Sequence, residues 1–562
     1  MFNEDGTICV VFNGEIYNFP DLRARLVASG HEFRTDHSDT EVLVHGYEQW
    51  GREMFARLNG MFAVAIWDRR EKELVLARDP FGEKPLYITR LADGYAFASE
   101  LKALLTLPDL DRVVDPVGVE QFLVLKFTVA PRSLLRGVSK LPAAHVGVIG
   151  SRGFKTFAYW EPTGRSAVTS ERRALEELDR LLDESVQMRM AADVPVGVFL
   201  SGGVDSSTIA YYMRRHSERV ESFSIGFEES AFDERHHAER VARQLGTQHH
   251  ADVLSERQLL DIIARVPEIL DEPMGDSSIL PTYLLSRFAR QHVKVSLGGD
   301  GSDELFLGYR AYQPLKVAWT LDKLPRLMTA TAAAAARRFP TDARSRGLAF
   351  ARRLDWSPVD RVIGHLRGHR EWVTTLLAEA LHERLNGAVT DEPRRAATRG
   401  LDVDRVTAAN LSTIAYARLY LQEDILVKVD RASMATSLEV RSPFLDPRIG
   451  LFALMVPERL RMRGLTRKYL LRKLMRGRLP NEILDRPKMG FAVPLGLWLR
   501  GTLAPLVRDY TAPGRLRDGG LFNPSSVQRI VTDHLAGRGD YASEVWGVLQ
   551  LEMWRERWSI RV

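Results

Sequence analysis

Apolar and polar positions follow two different rhythms along this 562-residue chain. Over residues 1 to about 110 the apolar residues come in runs of strand length: Ile8 to Phe12, Met61 to Trp67, Leu74 to Ala77 and Tyr95 to Ala98. Turn residues separate them, as expected for an α+β unit built on short strands. One helix interrupts the series. Between Pro20 and Gly30 the apolar positions Leu22, Leu26 and Val27 have helical spacing, and Gly30 is placed to cap the end. The chain opens on a turn, Asn3 to Gly6, then the first apolar run, then Asn13-Gly14, the pattern of a hairpin already under way. Pro-containing segments from Val114 to Pro162 read as connections and edge structure.

Beyond Ser170 the rhythm changes. A helix predicted over Glu171 to Met190 leads into a buried run, Val194 to Leu200, a glycine-rich turn and a helix over Ser206 to Arg215. A second strand, Ser222 to Phe227, another helix and a third strand, Val293 to Leu297, continue the alternation. Strand, turn and helix repeated in this way predict a parallel sheet covered by helices. Residues 317 to 400 are Ala- and Arg-rich and helical, without a chemical signature. The expected division is 1–155 and 156–562, each unit long enough to have its own core.

Composition narrows the classes. Hydrophobic residues at 45% and charged residues at 27% suit a soluble globular protein. A net charge of +5, from 78 Lys and Arg against 73 Asp and Glu, gives no electrostatic case for nucleic acid. The basic pairs Arg337-Arg338 and Arg394-Arg395 read as solvated helix faces. A single cysteine excludes an internal disulfide and a Cys-rich metal site. No signal-like start and no apolar stretch near ~20 residues is present, so no membrane partner and a cytoplasmic location are expected.

The segment VPVGVFLSGGVDSSTIA carries the most chemistry. A strand delivers the chain into Ser201-Gly202-Gly203, and a helix begins near Asp205-Ser206. Glycine lets backbone approach a ligand, and the free N–H groups at a helix start favour an anion. No lysine follows, unlike the G-x-x-x-x-G-K-[ST] loop, so positive charge must come from a metal and from distant residues. Asp205 would repel phosphate unless it held Mg²⁺.

Here the chain resembles the PP-loop ATP pyrophosphatases and, more narrowly, the glutamine-hydrolysing asparagine synthetase family. The segments SIGFEESAFDE, DEPMGDSSILPTYLLS, LGGDGSDELFLGY, EDILVKVDRASMATSLEVRSPFLD and RPKMGFAVPL follow in that family's order. The resemblance implies ATP and Mg²⁺, activation of the aspartate side chain as an acyl-adenylate with release of pyrophosphate, and displacement of AMP by ammonia. It implies that Ser201, Gly202, Gly203, Asp205 and Ser206 hold the pyrophosphate and its metal, and that Phe199 and Ile225 border the adenine. It further implies nucleotide contact at Gly298 and Gly299, Mg²⁺ on Asp303 opposite Asp205, a role for Asp300 in forming β-aspartyl-AMP, and charge stabilisation by Lys488. Gly298 departs from the family, which often has Ser there, and loses a hydroxyl contact. Asp430 and Arg431 are read either as site residues or as a structural ion pair.

FNGEIYNFPDLR, SDTEVLVHGYEQWG, LNGMFAVAIWD, LARDPFGEKPLY and FASELKALL resemble the family's glutaminase half, an N-terminal nucleophile hydrolase with an αββα sandwich. That implies an oxyanion hole at Asn13 and Gly14, with Glu15 beside it, and a grip on the glutamine α-ammonium by Asp39. The family's nucleophile is a cysteine directly after the initiator Met. Cys9 instead falls inside a predicted strand and reads as a small buried hydrophobe. The expectation is therefore a glutaminase unit lacking several tens of N-terminal residues, through a start placed too far downstream or a genuinely shortened chain, with ammonia as the nitrogen source for the sequence as given. The partners implied are small molecules: aspartate, ATP, and glutamine or ammonia. A homodimer is compatible with this reading. Two rival readings are an amide- or lactam-forming enzyme acting on another carboxylate in a secondary-metabolite or polysaccharide gene cluster, and a catalytically inactive scaffold.

Overall fold

The computed structural model describes residues 1–162, 168, 170–229, 232–339, 346–367, 375–382, 385, 388–486 and 493–562. The N-terminal part holds strands β1 (Ile8–Ile16), β2 (Gly60–Asp68), β3 (Glu73–Arg78), β4 (Tyr87–Leu91), β5 (Gly94–Ala98), β6 (Val138–Lys140), β7 (His145–Gly150) and β8 (Gly153–Ala158). One antiparallel sheet has the order β1-β2-β3-β7-β8, and a second has the order β5-β4-β6. The strand period of two sorts β2 by face. Phe62, Val64 and Ile66 pack under the helices Phe19–Ala28 and Asp39–Trp50, while Ala63 and Ala65 meet Ile88 of the second sheet and Leu86 and Leu141 flanking its strands. Two stacked sheets with helices outside them are the expected sandwich.

Three readings change. Asn13-Gly14 is not a turn: β1 runs through it, with Gly14 opposite Phe62. A Cβ at Gly14 would lie 2.0 Å from the Met61 carbonyl oxygen, so glycine serves close strand approach there, not reversal. The stretch from Val114 to Pro162 is more regular than expected, with a buried helix at Pro116–Leu125 and strands β6 to β8. Strand β8 crosses the anticipated break at 155. The initial turn is present, closed by Gly6 N–H to the Asn3 carbonyl at 3.2 Å, and Gly30 has φ +96° just beyond its helix.

The second sheet system consists of β9 (Val196–Phe199), β10 (Glu221–Phe227), β11 (Gln248–Leu254), β12 (Val295–Leu297) and β13 (Glu439–Arg441). Its order is β11-β10-β9-β12-β13, all parallel. Its two edge strands escape sequence reading, β11 because it is largely polar and β13 because it spans three residues. The N-terminal unit keeps two cores of its own, around Phe62 and around Ala63, but Tyr87, Phe122 and Val138 share a further cluster with Phe223 and Ile225. Helices at Tyr312–Leu321, Arg326–Arg337, Pro358–Leu366 and Ala388–Thr398 agree with the Ala/Arg-rich reading. Arg337 pairs with Asp355 and Arg394 with Asp360 on exposed helix faces. Among the described residues no helix is long and apolar enough to cross a membrane.

Candidate functional site

Sheet order locates the first site. β9 is central, with β10 on one side and β12 on the other, so the chain leaves the carboxyl ends of β9 and β12 around a topological switch point. Open α/β sheets bind ligands in the crevice at such a point. The loop after β9 is Leu200 to Gly203, and the helix Val204–His216 begins two residues earlier than the spacing suggested. Gly202 has φ +67°, and a Cβ there would lie 2.5 Å from the backbone carbon of His237. Only glycine fits that position without displacing main chain. Ser206 Oγ accepts from Ser201 N–H at 3.2 Å, and Ser201 Oγ accepts from Gly203 N–H at 3.3 Å, fixing the loop's shape.

The loop after β12 packs onto this one. A Cβ at Gly299 would stand 3.0 Å from both Asp205 Cβ and the Ser206 nitrogen. At Gly298 it would stand 2.9 Å from Asp300 Oδ2, which folds back toward its own strand. Gly298 N–H donates to the Arg441 carbonyl at 2.9 Å, continuing the β12–β13 ladder. Phe199 and Ile225 lie at or near the carboxyl ends of the neighbouring strands β9 and β10. Thus Phe199, Ser201, Gly202, Gly203, Asp205, Ser206, Ile225, Gly298, Gly299, Asp300 and Asp303 all belong to one sheet edge and its loops. Lys488 lies outside the described residues.

A residue the sequence reading missed sits between the two acids. Lys468 Nζ donates to both Asp205 oxygens at 2.6 Å and lies 2.6 Å from Asp303 Oδ1. Ser302 Oγ donates to Asp205 Oδ1 at 2.7 Å. Lys468 is buried, and burial draws its pKa below the ordinary lysine value while Asp205 opposes the shift. A Cβ at Gly308 would overlap both Asp303 Oδ1 and Lys468 Cε, so that glycine makes room for the pair. Next to it, burial pushes the Glu304 carboxyl up to about 7, and its Oε1 accepts from the Tyr309 hydroxyl. The available signal for Lys468 was a basic residue in GLTRKYLLRK, a segment that reads as an ordinary amphipathic helix start.

Two carboxylates are a donor set suited to Mg²⁺. Here their charge is met by the Lys468 ammonium, so the three side chains form one adjustable cation-and-anion centre beneath a loop suited to phosphate.

The second site lies in the sandwich. Asn13 Nδ2 donates to Ser99 Oγ at 2.9 Å, and Asp39 Oδ2 accepts from Ile16 N–H at 3.0 Å. Burial pushes the Glu15 carboxyl up to about 7 against the pull of Arg441 and raises Asp39 as well. Asn13, Gly14, Glu15 and Asp39 are therefore gathered at one end of β1. Cys9 is not among them. It lies opposite Trp67 and is half-buried, not fully enclosed as the sequence suggested.

Arg441 joins the two sites. Its carbonyl holds Gly298, and its guanidinium reaches Glu15 Oε2 at 3.4 Å, Glu439 at 2.6 Å and the Ala191 carbonyl at 2.7 Å. Further ion pairs tie the units together: Lys84 to Asp430 at 2.9 Å and Lys140 to Glu423 at 2.8 Å. Arg431 reaches Ser99 O at 2.8 Å and Glu100 at 3.4 Å. Asp430 and Arg431 thus serve cross-unit links, with a longer contact to each other of 3.7 Å.

A parallel sheet with a glycine loop at its switch point thus shares part of its core with an antiparallel sandwich that gathers Asn13, Glu15 and Asp39 at one end of β1. Comparison with known proteins agrees for both parts: residues 177–556 match the asparagine synthase family and residues 1–160 match the glutamine amidotransferase domain. A putative glutamine-hydrolysing asparagine synthetase of Mycobacterium tuberculosis is 36% identical over 564 aligned residues, covering 97% of this chain and 84% of that protein. Asparagine synthetase 1 of Bacillus subtilis is 33% identical, covering 98% of this chain and 86% of that protein. The chain belongs to the asparagine synthase family.

Proposed function

We propose that this protein amidates aspartate to asparagine at the expense of ATP, through β-aspartyl-AMP. The observation that supports this reading most directly is the Asp205–Lys468–Asp303 centre lying beneath the Gly202 loop at the sheet's switch point.

In this reading Ser201, Gly202, Gly203 and Ser206 receive the pyrophosphate portion of ATP, and Phe199 and Ile225 border the adenine. Asp205 and Asp303 would hold Mg²⁺, which neutralises phosphate charge when bound. The Lys468 ammonium, released from one carboxylate, adds positive charge to the same phosphates. An aspartate carboxylate oxygen attacks the α-phosphorus, the α–β anhydride breaks, and its electron pair leaves with pyrophosphate. Asp300 stands at the edge where the acyl-adenylate forms, and Lys488 steadies the α-phosphate. Ammonia then attacks the acyl carbon, AMP departs with the electron pair of the acyl carbon–oxygen bond of the mixed anhydride, and the nitrogen loses a proton. Such chemistry needs positioning and cation density more than covalent help.

In the sandwich, Asn13 and Gly14 would supply oxyanion donors, and Asp39 would hold the glutamine α-ammonium beside Glu15. Cys9 is internal to β1 and has no free α-amine, so it does not supply the nucleophile.

The test is a half-reaction assay on the 562-residue polypeptide. Pyrophosphate release that requires aspartate, and asparagine formation from ammonia but not from glutamine, are expected. Release driven by another carboxylate and indifferent to aspartate would overturn the acceptor; asparagine formed from glutamine would overturn the account of the nitrogen source.

A further inference from the structure

The loop between the helices Phe19–Ala28 and Asp39–Trp50 carries a cluster that the amide chemistry does not use. His31 comes from the loop, and His45 and Glu48 lie one turn apart on the second helix. One ligand atom from each lies within 4.8 Å of the others. Glu48 Oε2 is 3.3 Å from His45 Nδ1 and 3.8 Å from His31 Nδ1. The His45 side chain is only 3% exposed, and those of His31 and Glu48 are 17% and 18%.

These spacings are near those of a metal polyhedron. Tetrahedral Zn²⁺ holds nitrogen and carboxylate oxygen at ~2.0–2.2 Å, which sets ligand-to-ligand edges of roughly 3.3–3.5 Å. One edge is already that length, and a second exceeds it by a few tenths of an ångström.

The surrounding groups aim the ligand atoms. His31 Nε2 lies 3.0 Å from Gln49 Oε1, which engages that ring nitrogen and turns Nδ1 toward the Glu48 carboxylate. Glu48 Oε1 accepts from Asn3 Nδ2 at 2.7 Å, which leaves Oε2 for the histidines. His45 Nε2 faces Glu41 at 3.7 Å and Glu4 at 3.8 Å, carboxylates that add negative charge around the cluster. Outer carboxylates and amides of this kind orient the ligands of known metal sites.

We propose that His31, His45 and Glu48 bind one divalent transition-metal ion of the Zn²⁺ type, with water as the fourth ligand. The ion fastens the loop to the helix that begins at Asp39, the residue assigned to the glutamine α-ammonium. The site therefore steadies the pocket without touching the reaction.

The experiment uses the full chain, stripped with a chelator and titrated with Zn²⁺ against a chromophoric competitor, and with Co²⁺ to read the visible bands of four-coordinate cobalt. Wild-type protein is expected to bind one Zn²⁺ at this site and to show those bands. His31→Ala, on the more exposed of the two histidines, is expected to weaken Zn²⁺ binding at least ~100-fold, beyond the loss typical of an outer partner, and to abolish the bands. Asp303→Asn should leave both intact. Thermal unfolding of His31→Ala in chelator, superposed on that of wild type in chelator, establishes that the variant is folded. Absence of stoichiometric binding to wild type overturns the proposal, as does binding that survives His31→Ala but disappears with Asp303→Asn.

Discussion

Replacing Lys468 with methionine keeps most of the side chain's volume and removes the charge that Asp205 and Asp303 share. Each carboxylate has an oxygen 2.6 Å from Nζ, so those oxygens are at most twice that distance apart. Two unit charges at ~5 Å and an effective dielectric constant near 20 interact by roughly 3 kcal/mol. That repulsion is equivalent to about 2 pKa units on one of the two acids. In the variant, one carboxyl therefore keeps its proton up to about pH 6, against an unfolded value near 4. The sign follows: a folded-state pKa raised on an acid means the folded state is penalised as pH rises through that window. Lys468→Met should be destabilised by about 3 kcal/mol at pH 8 and little affected at pH 4, the larger figure agreeing with the cost of breaking buried pairs. Urea unfolding at both pH values, with and without Mg²⁺, measures this. Mg²⁺ should restore much of the lost stability at pH 8, because the freed carboxylates suit that ion. A deficit equal at both pH values and unchanged by Mg²⁺ would refute the claim that the lysine's charge, and not its packing, holds the centre.

Three further outcomes are expected. Gly202→Ala meets both a left-handed φ and a 2.5 Å approach to the His237 backbone, so it should lose about 2–4 kcal/mol and weaken ATP binding in calorimetry; wild-type affinity would show that the loop does not receive phosphate. Glu15→Gln removes a carboxyl pushed up to about 7 by burial. The wild-type protein loses stability as pH rises from the unfolded value toward 7, so the variant should be the more stable at pH 8 by about 2 kcal/mol after allowance for partial exposure, and equal at pH 4 in urea unfolding. Lys488→Ala should abolish aspartate-dependent pyrophosphate exchange while ATP binding persists; exchange at an unaltered rate would remove that lysine from the mechanism.

The sequence by itself determined what local rules can reach. Apolar runs of strand length gave β2, β3, β5 and β10 nearly in register, and helical spacing gave Glu171–Met190 to the residue. The Ser201-Gly202-Gly203 loop was readable because its chemistry is contiguous: strand, glycines and helix start follow one another along the chain.

The tertiary structure decided whatever depends on distance through space. Asn13-Gly14 has the composition of a turn, and only the pressure of the Met61 carbonyl shows that glycine there serves close approach. β13 is too short to carry a period, and its neighbour β12 defines it. Lys468 meets Asp205 across 263 positions of chain, and Arg441 holds Gly298 while reaching Glu15. Charge pairing acts through space over a few ångströms, whereas sequence patterns report on residues a few positions apart. Folding alone makes these groups neighbours.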